Sequence, residues 1–81
     1  MAKKQVTESV ARKMMSYYIE RITHHFGYVR DDLDALSKFA SIIYGAPLVA
    51  YLCNGYEISF TCTDPSSPKY TDKDLTLEDI L

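Results

Sequence analysis

Between positions 7 and 26 apolar side chains recur at every fourth residue. Val10, Met14, Tyr18, Ile22 and Phe26 make one row, and Ala11, Met15 and Ile19 run beside it. This spacing is helical and predicts a helix from about Thr7 to Phe26. With Val6 and Tyr17 included, the two rows spread over roughly 200° of the circumference. Ser9, Arg12, Lys13, Ser16, Glu20 and Thr23 take the opposite side. So wide an apolar arc exceeds what one packing partner requires, so this helix is expected to be covered on two sides. Gly27 ends it, because glycine accepts the left-handed conformation that closes many helices.

A second helix is expected to start at Asp31 or Asp32. A short carboxylate there satisfies free N–H groups, and Asp34 adds negative charge at the positive end of the dipole. Leu33, Leu36, Phe39, Ala40 and Ile43 form its inward stripe. Gly45, followed by Pro47, stops it. Asn54-Gly55 is then a hairpin signal, since a type I′ turn needs positive φ at both central residues. A two-residue turn at that point sets Cys53 opposite Tyr56, Tyr51 opposite Ile58 and Val49 opposite Phe60. These six are expected on the core face, with Leu48, Ala50, Leu52, Glu57, Ser59 and Thr61 on the other. Asp64-Pro65-Ser66-Ser67-Pro68 reads as a loop, because two prolines forbid regular pairing. In the tail, Leu75 and Leu77 alternate as in a strand. Leu77, Ile80 and Leu81 instead suit a helical turn capped by Thr76, with Glu78 and Asp79 in its first turn; the helical turn is the reading taken here.

These elements define an α+β class: one small domain over residues 1–81, with two antiparallel helices packed on a β-hairpin and a short C-terminal helical turn. At 81 residues the core only just offsets chain entropy. A composition 47% hydrophobic and 25% charged is that of a globular chain and not a disordered one. No apolar run reaches the roughly 18 residues that span a bilayer, and MAKKQVTESVARK lacks the apolar core of a secretory signal. A cytoplasmic location is therefore expected. Charge is uneven along the chain. Residues 1–30 carry six basic side chains against two acidic ones, and residues 31–81 carry three against nine.

Chemistry is sparse. In the hairpin register above, Cys53 and Cys62 lie about six positions apart, or roughly 20 Å, whereas a disulfide needs Cα atoms within about 7 Å. Their spacing matches no usual zinc pattern, so both are expected as reduced core residues. Adjacent His24 and His25 point about 100° apart and suit no shared ion. His25 could serve Cys53 as a base, but no third orienting group accompanies them. Asp31, Asp32 and Asp34 open like a calcium loop, yet the sharp-turn glycine and the closing bidentate Glu are missing. No glycine pattern suits phosphate. No catalytic residue, metal or cofactor is expected, and the chain is read as not an enzyme. The scattered cations of the first helix, in a chain of pI near 5.5, argue against nucleic acid.

Seven tyrosines exceed what so small a core can place with satisfied hydroxyls, so some belong to the surface or an interface. Met14, Tyr17, Arg21 and Tyr28 are the residues expected to bind a partner. The expectation is a non-catalytic protein-binding regulator or inhibitor, of the small accessory kind found on phages and mobile elements, acting through an apolar, tyrosine-rich surface. A homodimer is expected as well, because a lone hairpin leaves two open edges. The rival reading is a nucleic-acid-binding regulator that uses the basic first helix.

Overall fold

The computed structural model describes residues 7–24, 29–55 and 57–81. Val6, His25, Phe26, Gly27, Tyr28 and Tyr56 lie outside them, and with them the expected helix break at Gly27 and the proposed role of Tyr28. The chain is α+β. Helices α1 (Glu8–His24) and α2 (Arg30–Tyr44) are followed by strands β1 (Leu48–Cys53), β2 (Glu57–Cys62) and β3 (Leu75–Thr76) and by the short helix α3 (Leu77–Ile80). The three strands form one antiparallel sheet in the order β1-β2-β3. Helix α1 lies antiparallel on α2, and α2 packs on β1.

Thr7 starts α1: its hydroxyl accepts from the Val10 N–H at 3.3 Å, which satisfies one of the donors a helix start leaves open. Ala11, Met15 and Ile22 are buried as the periodicity predicts, with Tyr18 and Ile19 packed beside them. Helix α2 buries Leu36 and Ala40, with Leu33, Phe39 and Ile43 at the margin. Its end is a left-handed Gly45, φ 91°, whose N–H bonds Ser41 O at 2.9 Å. The start of α2 differs from expectation. Val29 precedes the helix and makes no side-chain cap, so neither Asp31 nor Asp32 is the capping residue. Both sit in the first turn, where a carboxylate still favours the dipole. Asp32 has a second use, described below.

The hairpin turn has the expected chemistry in a different register. Asn54 and Gly55 both hold positive φ, 58° and 82°. However, Cys53 pairs with Glu57, Tyr51 with Ser59 and Ala50 with Phe60, leaving three residues in the connection. Side chains alternate with a period of two, so one added residue inverts one strand relative to the other. Strand β2 keeps its expected faces, Ile58, Phe60 and Cys62 facing the core. In β1 the expectation is reversed: Leu48, Ala50 and Leu52 face inward, and Val49, Tyr51 and Cys53 face outward. The physical reason lies in α2. Ala50 is small enough for the helix to come within hydrogen-bond range of the strand backbone, which a tyrosine there would prevent.

That approach also covers an edge. The half-buried Ser37 and Ser41 hydroxyls accept from the N–H groups of Ala50 (2.7 Å) and Leu48 (2.8 Å). Ser37 Oγ donates in turn to Leu33 O at 2.8 Å and Ser41 Oγ to Ser37 O at 2.7 Å. On the far side β3 pairs with β2 through Ser59 and Phe60. The hairpin is thus not left with two open edges, and that ground for a homodimer falls away. The tail combines both of its readings, a strand at Leu75–Thr76 running into a helical turn. The Asp79 carboxylate accepts from Thr76 N–H (2.9 Å) and hydroxyl (3.2 Å), closing the turn, and Ile80 is buried in the core. Phe60, Met15 and Leu36 are the largest fully buried side chains, each contributing about 1.5–3 kcal/mol.

Candidate functional site: the outer face of the first helix

Core packing consumes one side of α1. The flank next to it carries Val10, Met14, Tyr17, Arg21 and His24, residues alternately four and three apart along the helix. Val10 is 45% exposed and Tyr17 52%, among the most exposed large apolar side chains described. Met14 is half-buried, and Arg21 and His24 are exposed. The second side of the wide apolar arc is therefore not covered by the chain's own described elements.

Tyr17 is held in place despite its exposure. Its ring meets Tyr18 edge-on at 5.1 Å and 79°, and Tyr18 stacks on Phe39 of α2 at 6.1 Å. Arg21, one turn on, lies over the Tyr17 ring at 5.6 Å and donates from Nη1 to its hydroxyl at 3.2 Å. Arg21 is itself anchored across the helix pair, Nε donating to Asp32 Oδ1 at 3.1 Å. Asp32 is only 7% exposed; its carboxylate serves as the anchor for Arg21 where sequence reasoning expected a cap. The Tyr17 hydroxyl first, and the Asp32 carboxylate second, hold the guanidinium above its ordinary pKa, so it stays charged. Tyr17, Glu20, Arg21 and His24 line a shallow, open depression of about 420 Å³.

Of the four residues expected from the sequence, Met14, Tyr17 and Arg21 fall on one stripe and the last two touch; Tyr28 lies outside the described residues. The sequence reading missed Val10, Tyr18, His24 and Asp32. Val10, Tyr18 and His24 were legible from helical spacing, whereas the Asp32 contact joins positions from two helices and has no local signal.

The remaining sequence candidates separate. Cys53 and Cys62 are both free thiols. Cys62 is buried on the inner face, opposite Leu48 and not Pro47. Cys53 is half-buried on the outer face, so its expected core role is not found; the inverted register is the cause. The His24 ring Nδ1 lies 3.0 Å from Glu20 O, and His25 is outside the described residues. Among those residues, no group of three metal-ligating side chains converges, and no helix is long and apolar enough to cross a membrane. On the outer sheet face, the Tyr51 and Thr61 hydroxyls both donate to Asp74, Thr61 at 3.1 Å, tying the loop before β3 to the hairpin. The hydrogen bond to Asp74, then partial burial and the aspartate's charge, keep the Tyr51 phenol protonated above its usual range.

Fold and site together describe a small α+β domain with one preorganised aromatic-cationic helix face. Comparison of the chain with protein-family models, with curated proteins and with solved structures finds no match in any of the three.

Proposed function

We propose that this protein is a non-catalytic, cytoplasmic protein-binding module, a regulator or inhibitor, that docks a partner through the outer face of α1. The observation that carries this reading is Tyr17: more than half exposed, yet fixed by Tyr18 on one side and by Arg21 on the other. Tyrosine and arginine dominate binding hot spots. A side chain already immobilised loses less conformational freedom on association. Val10 and Met14 extend the same stripe with apolar surface. The inhibitor role and an origin on a phage or mobile element belong to this proposal.

The nucleic-acid alternative gains nothing from the geometry. Among the described residues of α1, Arg12 is paired with Glu8 at 3.1 Å and Arg21 with Asp32. The test is comparative capture from the native host with tagged wild-type, Tyr17→Glu and Val49→Glu proteins. Val49 is an exposed apolar residue on the far face of the sheet and serves as the control. A partner retained by wild type and Val49→Glu but lost with Tyr17→Glu supports the reading. Equal retention by all three overturns it. A gel shift that is strong at low salt and collapses at high salt replaces it with the nucleic-acid alternative.

A further inference from the structure

We propose that the partner seated on the outer face of α1 is a second copy of this chain, the two α1 helices lying antiparallel across a two-fold axis. This rests on reading that face as the docking surface. Two observations carry it beyond that. The first is spacing: Val10, Met14, Tyr17, Arg21 and His24 follow the alternating four-three interval that keeps one helix in contact with another along a shallow crossing. The buried stripe beside it, Ala11, Met15, Tyr18 and Ile22, follows the same interval and already holds α2.

The second observation is charge. Lys13 and Glu20 are exposed, two helical turns apart, along the solvent margin of the stripe, about 10 Å from each other on the helix axis. Neither has an ion pair among the described residues. Laid antiparallel with Met14 of each copy level with Tyr17 of the other, two α1 helices set Lys13 of each within about two residues, roughly 3 Å along the axis, of the other's Glu20, and so make two opposite-charge pairs by symmetry. The same alignment brings Met14 of one copy over Tyr17 of the other, twice, so that a thioether meets an aromatic ring on both sides of the axis. An isologous interface requires this self-complementarity. A parallel arrangement lacks it, since the two Arg21 guanidinia would face each other along the seam and Lys13 would have no acidic neighbour.

The experiment is sedimentation velocity on the full chain across a dilution series, for wild type, Lys13→Glu, Glu20→Lys and an equimolar mixture of the two variants. Both positions are exposed, so neither change disturbs the core. Wild type is expected to dimerise and to dissociate on dilution. Each variant alone sets like charges opposite each other and is expected to associate about tenfold more weakly. The mixture restores both opposite-charge pairs and is expected to recover association as a heterodimer. Three outcomes overturn the proposal: a wild type monomeric at every concentration, a dimer indifferent to either reversal, or a dimer lost in both variants and not recovered on mixing. If wild type is monomeric while capture still depends on Tyr17, the second copy is refuted and the docking face stands with a foreign partner. If capture also ignores Tyr17, both readings fall.

Discussion

Replacing Ser37 by alanine tests how α2 is joined to the sheet, and it sets two opposing effects against each other. Serine is a weaker helix former than alanine, so in a helix interior the change by itself stabilises by about 0.5 kcal/mol. Ser37 is not an ordinary interior position. Its Oγ accepts from the N–H of Ala50, a buried residue, at 2.7 Å while donating to Leu33 O. Alanine leaves that N–H without a partner, and an unsatisfied buried donor costs about 1–3 kcal/mol. The deficit exceeds the propensity gain, and the net loss is roughly 0.5–2.5 kcal/mol. For a domain of this size each kcal/mol moves the unfolding midpoint by about 4–8 °C, so a mid-range loss lowers Tm by about 10 °C. Ser41→Ala is expected to act in the same direction through the Leu48 N–H. Ser16→Ala is the control: that hydroxyl is exposed and donates to Arg12 O at 3.2 Å, so the variant should match wild type or exceed it by a few degrees. Thermal unfolding followed by far-ultraviolet circular dichroism measures all three. A Ser37→Ala protein as stable as Ser16→Ala would refute the edge-capping role.

Other expectations follow from the hairpin and its outer face. Gly55→Val should destabilise the fold by about 1–2 kcal/mol, because φ is 82° and no atom beyond the adjoining residues lies within 4 Å of the added Cβ, so the penalty is chiefly backbone strain; an unchanged denaturant midpoint would exclude that turn. Thiol reagents should label Cys53 readily and Cys62 only after unfolding, so mass spectrometry of the native protein should find a single fast adduct, at Cys53. The raised Tyr51 pKa means that its contribution to stability is complete below the ordinary tyrosine pKa and is lost as pH rises through the higher folded value. Asp74→Ala should bring the Tyr51 titration, followed by NMR of the ring carbons, back down toward that ordinary value; no movement would remove Asp74 as the cause.

Local pattern alone determined the two helices, the left-handed stop at Gly45, the positive-φ turn at Asn54-Gly55, and the inward row Ile58, Phe60 and Cys62. Each depends on geometry within a few residues: a 3.6-residue repeat, a backbone conformation open to glycine, a period of two. Most of the exposed α1 stripe was legible for the same reason, since Met14, Tyr17 and Arg21 share a helix face wherever the helix goes. The faces of β1 were not legible. LVAYLC is apolar on both sides, so its alternation carries no preference, and the choice fell to the three-residue connection and to how closely α2 could approach Ala50. Tertiary structure also decided what Asp32 does. A carboxylate at a helix start reads as a cap until a guanidinium eleven residues earlier is brought beside it. The same holds for the edges of the hairpin, covered by serine hydroxyls from α2 on one side and by two residues of the tail on the other. Contacts between distant positions depend on how whole elements pack, and no window of neighbouring residues contains that information.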